Sequence, residues 1–452
     1  MNKIESLFVT KVGVSFFKIF SLLLTLFFLW GFTLGLSDVL NKHFQEIIEP
    51  NSSKYAFVLL AYYAGYFLMP LPASLFAERF GYKNGIILGL MLYALGAFMF
   101  FPTAHFHSFP LFIFSLFAIA MGMAALETVV NPYTTLVGKN QYSTFRITLG
   151  HSFTSLGWLF GPFVGGSILF DVHQHIITAN TNEFASMTVP YVGIGVLVLL
   201  LAILILISDL PKIRGEKLKS ITLENPQQKS ISIYKRGYFV AAVITMFFYI
   251  AAQTAIFGFY TKYLFDLFKS IPTHSVIGSG CLVKIIHFVG NSNDLNDGLY
   301  HSVAALIFSI VGMGLFTAGR FIGSFILIKF KPNVLLVLSS ISSLLLSMLF
   351  WLDLGLISFI ALCLLTLSIS TMFPIIFSLG IRKMGYKTKR ASAHIIMAII
   401  GGAAYPVLLG VFPAFNPVNI GMTILLISFI VIFLYGYKGY KIDDKTRAKL
   451  NL

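Results

Sequence analysis

Hydrophobic residues in this chain run in long stretches separated by short polar segments. A helix needs about 20 consecutive apolar residues to cross a hydrocarbon core that is ~30 Å thick. The first stretch follows a short polar segment without a small-residue cleavage site, so we interpret it as a membrane span and not as a signal peptide. The pattern predicts twelve transmembrane helices, near 17–40, 55–76, 84–103, 108–136, 146–170, 188–208, 238–262, 301–327, 333–352, 355–381, 391–413 and 418–437.

Lysine and arginine are distributed unevenly between the two sides of this predicted bundle. With both termini in the cytoplasm, 27 of the 32 basic residues fall on the cytoplasmic side. An excess of Lys and Arg in cytoplasmic loops is the usual orientation signal of membrane proteins. We therefore expect a multi-pass protein of the cell inner membrane with both termini inside. The five basic residues on the outer side are Lys42, Lys54, Lys262, Lys269 and Lys284.

Two connections are long and polar. Residues 209–236 carry seven basic residues and join span six to span seven, which predicts a cytoplasmic linker between an N-terminal half (1–208) and a C-terminal half (237–452). Residues 267–298 form an external loop whose apolar piece, 276–289, is too short and too polar to cross a bilayer. The sequence does not indicate a function for residues 276–289.

The two halves repeat each other at nearly constant offsets. A twelve-span bundle made of two parallel six-span halves is the architecture of the major facilitator transporters. The fold class is therefore an all-α membrane protein with two six-helix halves. The matching features are Arg146, Gly157 and Pro162 with Arg390, Gly401 and Pro406; Pro132 and Gly138 with Pro374 and Gly380; Arg79–Phe80 with Lys329–Phe330; and Phe27–Phe28 with Phe247–Phe248.

Composition excludes most other classes. The chain is 57% hydrophobic and only 11% charged, whereas a soluble domain carries roughly 25% charged residues. The two cysteines, Cys281 and Cys363, have no metal-ligand spacing and allow at most one disulfide. The net charge of +15 is spread between apolar runs, so we interpret it as a topology signal and expect no nucleic-acid partner.

Several segments carry a closer resemblance, which extends from span one to span eleven. The sequence resembles the fucose–proton symporter family, which also includes glucose/galactose and amino-sugar permeases. The resemblance implies uptake of a sugar coupled to a proton, with sodium as the alternative ion, and no cofactor. The similar segments are Phe28-Leu-Trp-Gly-Phe to Asp38, Ala124-Ala-Leu-Glu-Thr to Asn131-Pro, Phe145-Arg146, Tyr249 to Gln253-Thr254, Gly319-Arg-Phe-Ile-Gly323 and Phe373-Pro to Ser378-Leu-Gly-Ile381.

Two acidic residues, Asp38 and Glu127, lie inside predicted spans, with Asp38 toward the outer end. A charged carboxylate in mid-membrane costs roughly 2.5–3.5 kcal/mol on insertion scales, so such residues are rare and usually functional. Both positions match the acidic pair that the resemblance implies. We expect them to be the protonation sites; the alternative is a structural acid paired with a buried base.

Four polar residues are candidates for the sugar site. Gln253 in span seven could hydrogen-bond a hydroxylated ligand or, alternatively, another helix. His151 and Thr154 stand where the fucose-type members carry Gln and Asn, so fucose itself is one candidate among several sugars. His151 either titrates near neutral pH and joins proton transfer or is a structural histidine. Asn131 belongs to the segment of closest resemblance.

Three basic residues near predicted cytoplasmic turns are candidates for gating: Arg79, Lys83 and Arg320. Topology alone explains short basic turns at these places. The resemblance to the superfamily adds a second role, in which such residues hold the halves together while the inner gate is closed.

Other functional classes fit the sequence less well. The chain has no His-Glu-x-x-His or other intramembrane enzyme motif and no phosphate-binding Gly-rich loop for a nucleotide-driven pump. A drug exporter is the main alternative, because exporters and importers share this fold; a receptor without transport is another. We expect a monomeric sugar importer that works by alternating access in the lipid bilayer.

Overall fold

The computed structural model of the chain describes residues 16–47, 54–106, 108–179, 185–208, 210, 232–270, 308–412 and 417–442. These residues are helical, and no strand occurs among them. Of the two long polar connections, residues 211–231 and 271–307 lie outside the described part. The predictions for the linker 209–236 and the external loop 267–298 therefore depend on the sequence.

The described residues of the first half form seven α-helices. Within α3, Gly81 has a φ of +90°, a left-handed conformation that glycine adopts without steric cost. This turn joins the second and third predicted spans. The helices are α1 (Phe17–Ile47), α2 (Lys54–Leu68), α3 (Pro70–Phe98), α4 (Phe100–Phe106), α5 (Phe109–Leu136), α6 (Ser143–Ala179) and α7 (Ala185–Ile207).

The second half contains eight α-helices in its described residues. A π-helical turn, Phe308–Gly312, precedes α9, and a 3₁₀ segment, Ala398–Ala403, separates α13 from α14 within span eleven. The helices are α8 (Gly237–Ser270), α9 (Met313–Ile326), α10 (Pro332–Trp351), α11 (Leu356–Ile369), α12 (Met372–Gly380), α13 (Thr388–Met397), α14 (Ala404–Val411) and α15 (Pro417–Tyr437).

These helices account for all twelve predicted spans. Nine segments of the described residues are long and apolar enough to cross a membrane. One of them, Leu60–Thr103, has 44 residues and is long enough for two spans. The 37-residue helix α6 and the shorter apolar segment Ile310–Ile326 complete the set. The prediction of an all-α, twelve-span bundle is confirmed.

The burial of side chains repeats between the halves. The order of buried, intermediate and exposed positions in residues 71–80 recurs without change in residues 321–330. The offset of 250 is the one that relates Arg79–Phe80 to Lys329–Phe330 in the sequence. Equivalent helices therefore present equivalent faces to the interior of the bundle.

Glycine permits the same close helix crossing in each half. A Cβ atom at Gly157 in α6 would overlap the carbonyl oxygen of Phe28 in α1, and a Cβ at Gly401 would overlap the carbonyl oxygen of Phe247 in α8. Small residues at such crossings let backbones approach closely in a membrane, where van der Waals packing drives helix association. The crossings join span one to span five and span seven to span eleven.

Candidate functional site

Three ionisable side chains lie within the helices that face the boundary between the halves. Glu127 stands nine residues before the end of α5, and His151 stands eight residues after the start of α6; the helical rise places both about 12–14 Å from those ends. Arg320 lies in α9, six residues before its end. All three are buried, with exposed fractions of 6%, 3% and 5%.

Glu127 and Asn131 present polar atoms that the described residues leave without partners. They lie one turn apart on α5, and Asn131 is completely buried. Glu127 Oε2 and both amide atoms of Asn131 form no hydrogen bond within the described part of the chain. Burying such groups without partners costs about 1–3 kcal/mol each. A hydroxylated ligand between the halves could supply the missing bonds.

His151 and Thr154 add two more unpartnered polar atoms on the facing helix α6. The atoms are His151 Nε2 and Thr154 Oγ1, both buried and without a hydrogen bond to any described residue. Aromatic rings surround the imidazole: the centroids of Phe27, Trp30 and Phe373 lie 5.3, 5.9 and 4.9 Å from it. Polar atoms beside aromatic faces are the combination that suits a sugar, whose hydroxyls and C–H faces need different partners.

Arg320 connects the two halves in the interior of the bundle. Its Nε donates to the carbonyl of Ser370 (3.0 Å) in its own half, and its Nη1 donates to the carbonyl of His151 (2.9 Å) in the other. The guanidinium carbon also lies 4.3 Å from the ring centroid of Phe316. The positive charge of Arg320 acts on Glu127, but the two side chains form no direct ion pair or hydrogen bond among the described residues.

Gln253 lies on the face of α8 that points to the same region. Tyr249, one turn earlier, donates to the carbonyl of Ile369 and interacts with Arg320. Phe257, one turn later, packs edge-to-face against Trp158 of the first half at 5.5 Å. Since residues four apart share a helix face, Gln253 faces the boundary between the halves. Its side chain is partly exposed.

Asp38 occupies a different depth from Glu127. It stands 21 residues after the start of α1, which is about 31 Å along the helix, whereas Glu127 lies near the middle of the bundle. The backbone at Asp38 is helical, and its side chain lies outside the described features. The two predicted protonation sites are therefore separated along the membrane normal.

A second set of contacts joins the halves at the end of the bundle predicted to be cytoplasmic. Arg390 donates from Nε and Nη2 to the carboxylate of Glu78, at 2.9–3.1 Å. Lys389 donates to the carbonyl of Ala77 at 2.5 Å. Two buried contacts also join the halves here: Ser392 Oγ donates to the Thr128 carbonyl at 2.8 Å, and the hydroxyls of Thr144 and Ser378 lie 2.6 Å apart. We call these four contacts the inner latch.

The contacts of the other two predicted gating residues lie within the first half. The Arg79 guanidinium stands 5.3 Å from the ring centroid of its neighbour Phe80, and Lys83 donates to the carbonyl of Ser208 at 2.8 Å. A gating role for them stays a prediction. Glu78, one residue before Arg79, makes the cross-half ion pair that the sequence analysis did not find. The feature of the sequence that could have identified Glu78 is that it is a single acidic residue in an otherwise basic turn.

One cavity among the described residues, of about 490 Å³, is unrelated to this cluster. It lies between α2 and α5, and its walls include the exposed side chains of Phe57, Leu60 and Phe114. A hydroxylated ligand would find almost no hydrogen-bonding partner there. The candidate site is therefore the polar and aromatic cluster between the halves.

Comparison with known proteins identifies the family to which the chain belongs. The Major Facilitator Superfamily profile matches residues 19–406. The L-fucose-proton symporter of Escherichia coli (strain K12) is 30% identical over 432 residues, and the match covers 92% of each chain. The glucose/galactose transporter of Brucella abortus (strain 2308) is 28% identical over 416 residues, again with 92% of each chain covered.

Solved structures agree with the sequence relationship. The crystal structure of the E. coli fucose:proton symporter FucP superposes with a TM-score of 0.71 at 29% identity, covering 93% of this chain and 98% of that one. The proton:xylose symporter XylE shares only the fold, with a TM-score of 0.68 at 12% identity. The chain belongs to the fucose–proton symporter family of the major facilitator superfamily.

Proposed function

We propose that this protein is a secondary active transporter that imports a sugar together with a proton by alternating access. Members of its family are transporters, and the protein is not an enzyme. The observation that carries the proposal is the set of buried polar atoms facing the boundary between the halves. They belong to Glu127, Asn131, His151 and Thr154, and no described residue supplies their hydrogen bonds.

The substrate of the proposal is a monosaccharide of the fucose, glucose/galactose or amino-sugar type. Asn131, His151, Thr154 and Gln253 bind its hydroxyls, and the rings around His151 contact its apolar face. His151 and Thr154 differ from the Gln and Asn of the fucose-type members, so we expect a preference that is not identical to theirs. The relatives that support a sugar substrate transport fucose or glucose and galactose.

In the proposal, protons are carried by Asp38 and Glu127. Asp38, toward the outer end of α1, takes up the proton from outside, and Glu127 holds it in the interior. A carboxyl group removed from water binds a proton more readily than one in solution. When Glu127 is protonated, the loaded carrier can close without burying a carboxylate anion. Proton and sugar then favour the same conformations, which links the two fluxes.

The inner latch is the gate of the proposal. With Glu78, Arg390 and Ser392 engaged, the end of the bundle predicted to be cytoplasmic is closed and the site can load from the other side. Release of the sugar at the end predicted to be cytoplasmic requires these bonds to break. Arg79 and Lys83 flank the same turn, and Arg320 holds the halves together closer to the site.

The proposed orientation has both termini and residues 209–236 in the cytoplasm and residues 267–298 outside, in a monomer of the bacterial inner membrane. Labelling with a membrane-impermeant thiol reagent tests it. In a background of Cys281→Ala and Cys363→Ala, a cysteine at position 225 (Asn225→Cys) should stay unlabelled in intact cells and react after lysis. Labelling of that cysteine from outside would overturn the orientation.

The transport mechanism is tested by two measurements on the same protein reconstituted in vesicles. The first is accumulation of labelled sugar against its gradient, driven by a proton gradient; the second is exchange of labelled for unlabelled sugar. Glu127→Gln permanently mimics the protonated state. It should abolish accumulation and leave exchange, because exchange needs no net movement of protons. Asp38→Asn should impair accumulation at least as strongly.

Two results would reject the mechanism. If both neutral variants accumulate sugar at the level of the unmodified protein, these acids do not carry the coupling proton. If accumulation follows a sodium gradient and not the proton gradient, the coupling ion is sodium and not the proton. A saturable efflux of dyes with no uptake of any monosaccharide would favour the exporter instead of the importer.

A further inference from the structure

At one corner of the second half, exposed lysines lie next to exposed apolar faces of two helices. The turn between α9 and α10 contains Lys329, Phe330 and Lys331, all exposed. The end of α15 contributes Lys438 and Lys441, also exposed. We call these four lysines the lysine rim. The two helix ends are neighbours, because Gly436 packs against Leu336 and Val337.

Apolar stripes lead away from the lysine rim along both helices. On α10 the exposed residues follow the spacing i, i+4, i+7, i+11, and on α15 they follow i, i+3, i+7, i+10. Such spacing places each set on one helix face. Cations at one end and continuous apolar surface below them suit a lipid with an anionic headgroup. The stripe residues are Val334, Leu338, Ile341 and Leu345 on α10, and Ile427, Ile430, Leu434 and Tyr437 on α15.

The lysines of the rim are not neutralised by the described protein. No described carboxylate lies within 4 Å of any of them; the ion pair recorded in that part joins Arg390 to Glu78. Lys438 and Lys441 instead lie 5.1 and 5.2 Å from the ring centroids of the tyrosines that precede them. Asp443 and Asp444 follow in the sequence outside the described residues, together with Lys445, Arg447 and Lys449.

The opposite end of α10 carries a negative charge in place of the positive charges of the lysine rim. At the end of α10, Trp351 and Leu352 are exposed, and the charge nearby is the carboxylate of Asp353, which accepts a hydrogen bond from Tyr263. Among the residues whose side chains the structure describes, aromatic residues are thus available at both ends of α10, but cations accompany them at the lysine rim and not at the other end. The difference in charge indicates selectivity for anionic lipid, and not only for a membrane surface.

We propose that the lysine rim, with the exposed ring of Phe330 and the two apolar stripes, binds one anionic phospholipid of the adjacent leaflet. Basic pockets between transmembrane helices on the cytoplasmic side bind such headgroups, and each lysine near an anionic surface contributes about a fivefold gain in affinity. The headgroup phosphate lies among the lysines while the acyl chains cover the stripes. This site is separate from the sugar and proton pathway.

The test titrates phosphatidylglycerol into the full-length protein held in neutral detergent with phosphatidylcholine. The melting temperature should rise with phosphatidylglycerol, and the rise should be largely lost at about 0.5 M salt, where surface charges are screened. The variant K329Q/K331Q/K438Q/K441Q should need at least about tenfold more phosphatidylglycerol for the same rise. Replacing the same four lysines by arginine should preserve the response.

A matched control removes four lysine charges of the first half, on the side predicted to be cytoplasmic: K3Q/K11Q/K18Q/K139Q should respond like the unmodified protein. Because the rim lysines are exposed, the glutamine variant should fold; if it does not, K329Q/K331Q alone should shift the titration partway. Three results would overturn the proposal. They are an equal response to phosphatidylcholine, an equal loss in the control variant, and a full response to inorganic phosphate, which would indicate free anions and not lipid.

Discussion

The strength of the inner latch predicts how readily the protein opens at the end where Glu78 meets Arg390. The ion pair is bidentate, but the Arg390 and Glu78 side chains are 52% and 25% exposed, so we expect it to contribute at most about 1 kcal/mol. The buried bond from Ser392 to the Thr128 carbonyl contributes about 0.5–1.5 kcal/mol. Glu78→Gln should therefore raise the open-to-closed ratio, by up to about fivefold.

A buried cysteine can report this opening. Ser392→Cys, in a background of Cys281→Ala and Cys363→Ala, places a thiol at a position with 0% exposure. Its reaction rate with a maleimide in solubilised protein follows the fraction of open molecules. Every reporter protein lacks the Ser392 hydroxyl bond equally, so the comparison isolates the ion pair.

Four proteins complete the experiment: the reporter alone, the reporter with Glu78→Gln, with Arg390→Gln, and with both. Each single change should accelerate labelling by up to about fivefold, and the double change should add little, because either one removes the pair. As a control, Lys383→Gln removes a cation from the connection between α12 and α13 and should change the labelling rate less than about twofold. Equal rates in all four proteins, or two fully additive single effects, would show that the pair does not hold the latch closed.

Three further predictions concern the interior. Gln253→Ala and Thr154→Ala should each weaken sugar binding about five- to hundredfold with little change in melting temperature, as measured by calorimetry; unchanged affinity in both would move the site elsewhere. Gly157→Val should lower the melting temperature strongly because its side chain meets the Phe28 backbone, whereas Gly193→Val, where a Cβ meets nothing within 4 Å, should not. Arg320→Gln should impair accumulation more than exchange, since it removes the charge that acts on Glu127; equal loss of both would indicate a purely structural role.

The sequence by itself determined the fold class and the number of membrane spans of this protein. In hydrocarbon every backbone amide must find a hydrogen-bond partner within the protein, and a continuous apolar run of about 20 residues meets this requirement as a transmembrane helix. The offsets between matching residues gave the two halves, and the repeated glycine crossings at Gly157 and Gly401 confirm that correspondence. The intramembrane acid Glu127 was also visible, because so few charges lie inside the spans.

Only the tertiary structure decided what each polar residue contacts. Arg146 and Arg390 are equivalent in the repeat, yet Arg146 is fully buried and donates to the carbonyls of Thr134, Thr135 and Lys139, whereas Arg390 pairs with Glu78 across the halves. Arg320 appeared to belong to a turn and lies in the interior instead. Such partners are separated by up to 312 positions along the chain, and their contact depends on how the two halves pack, which no local pattern of residues records.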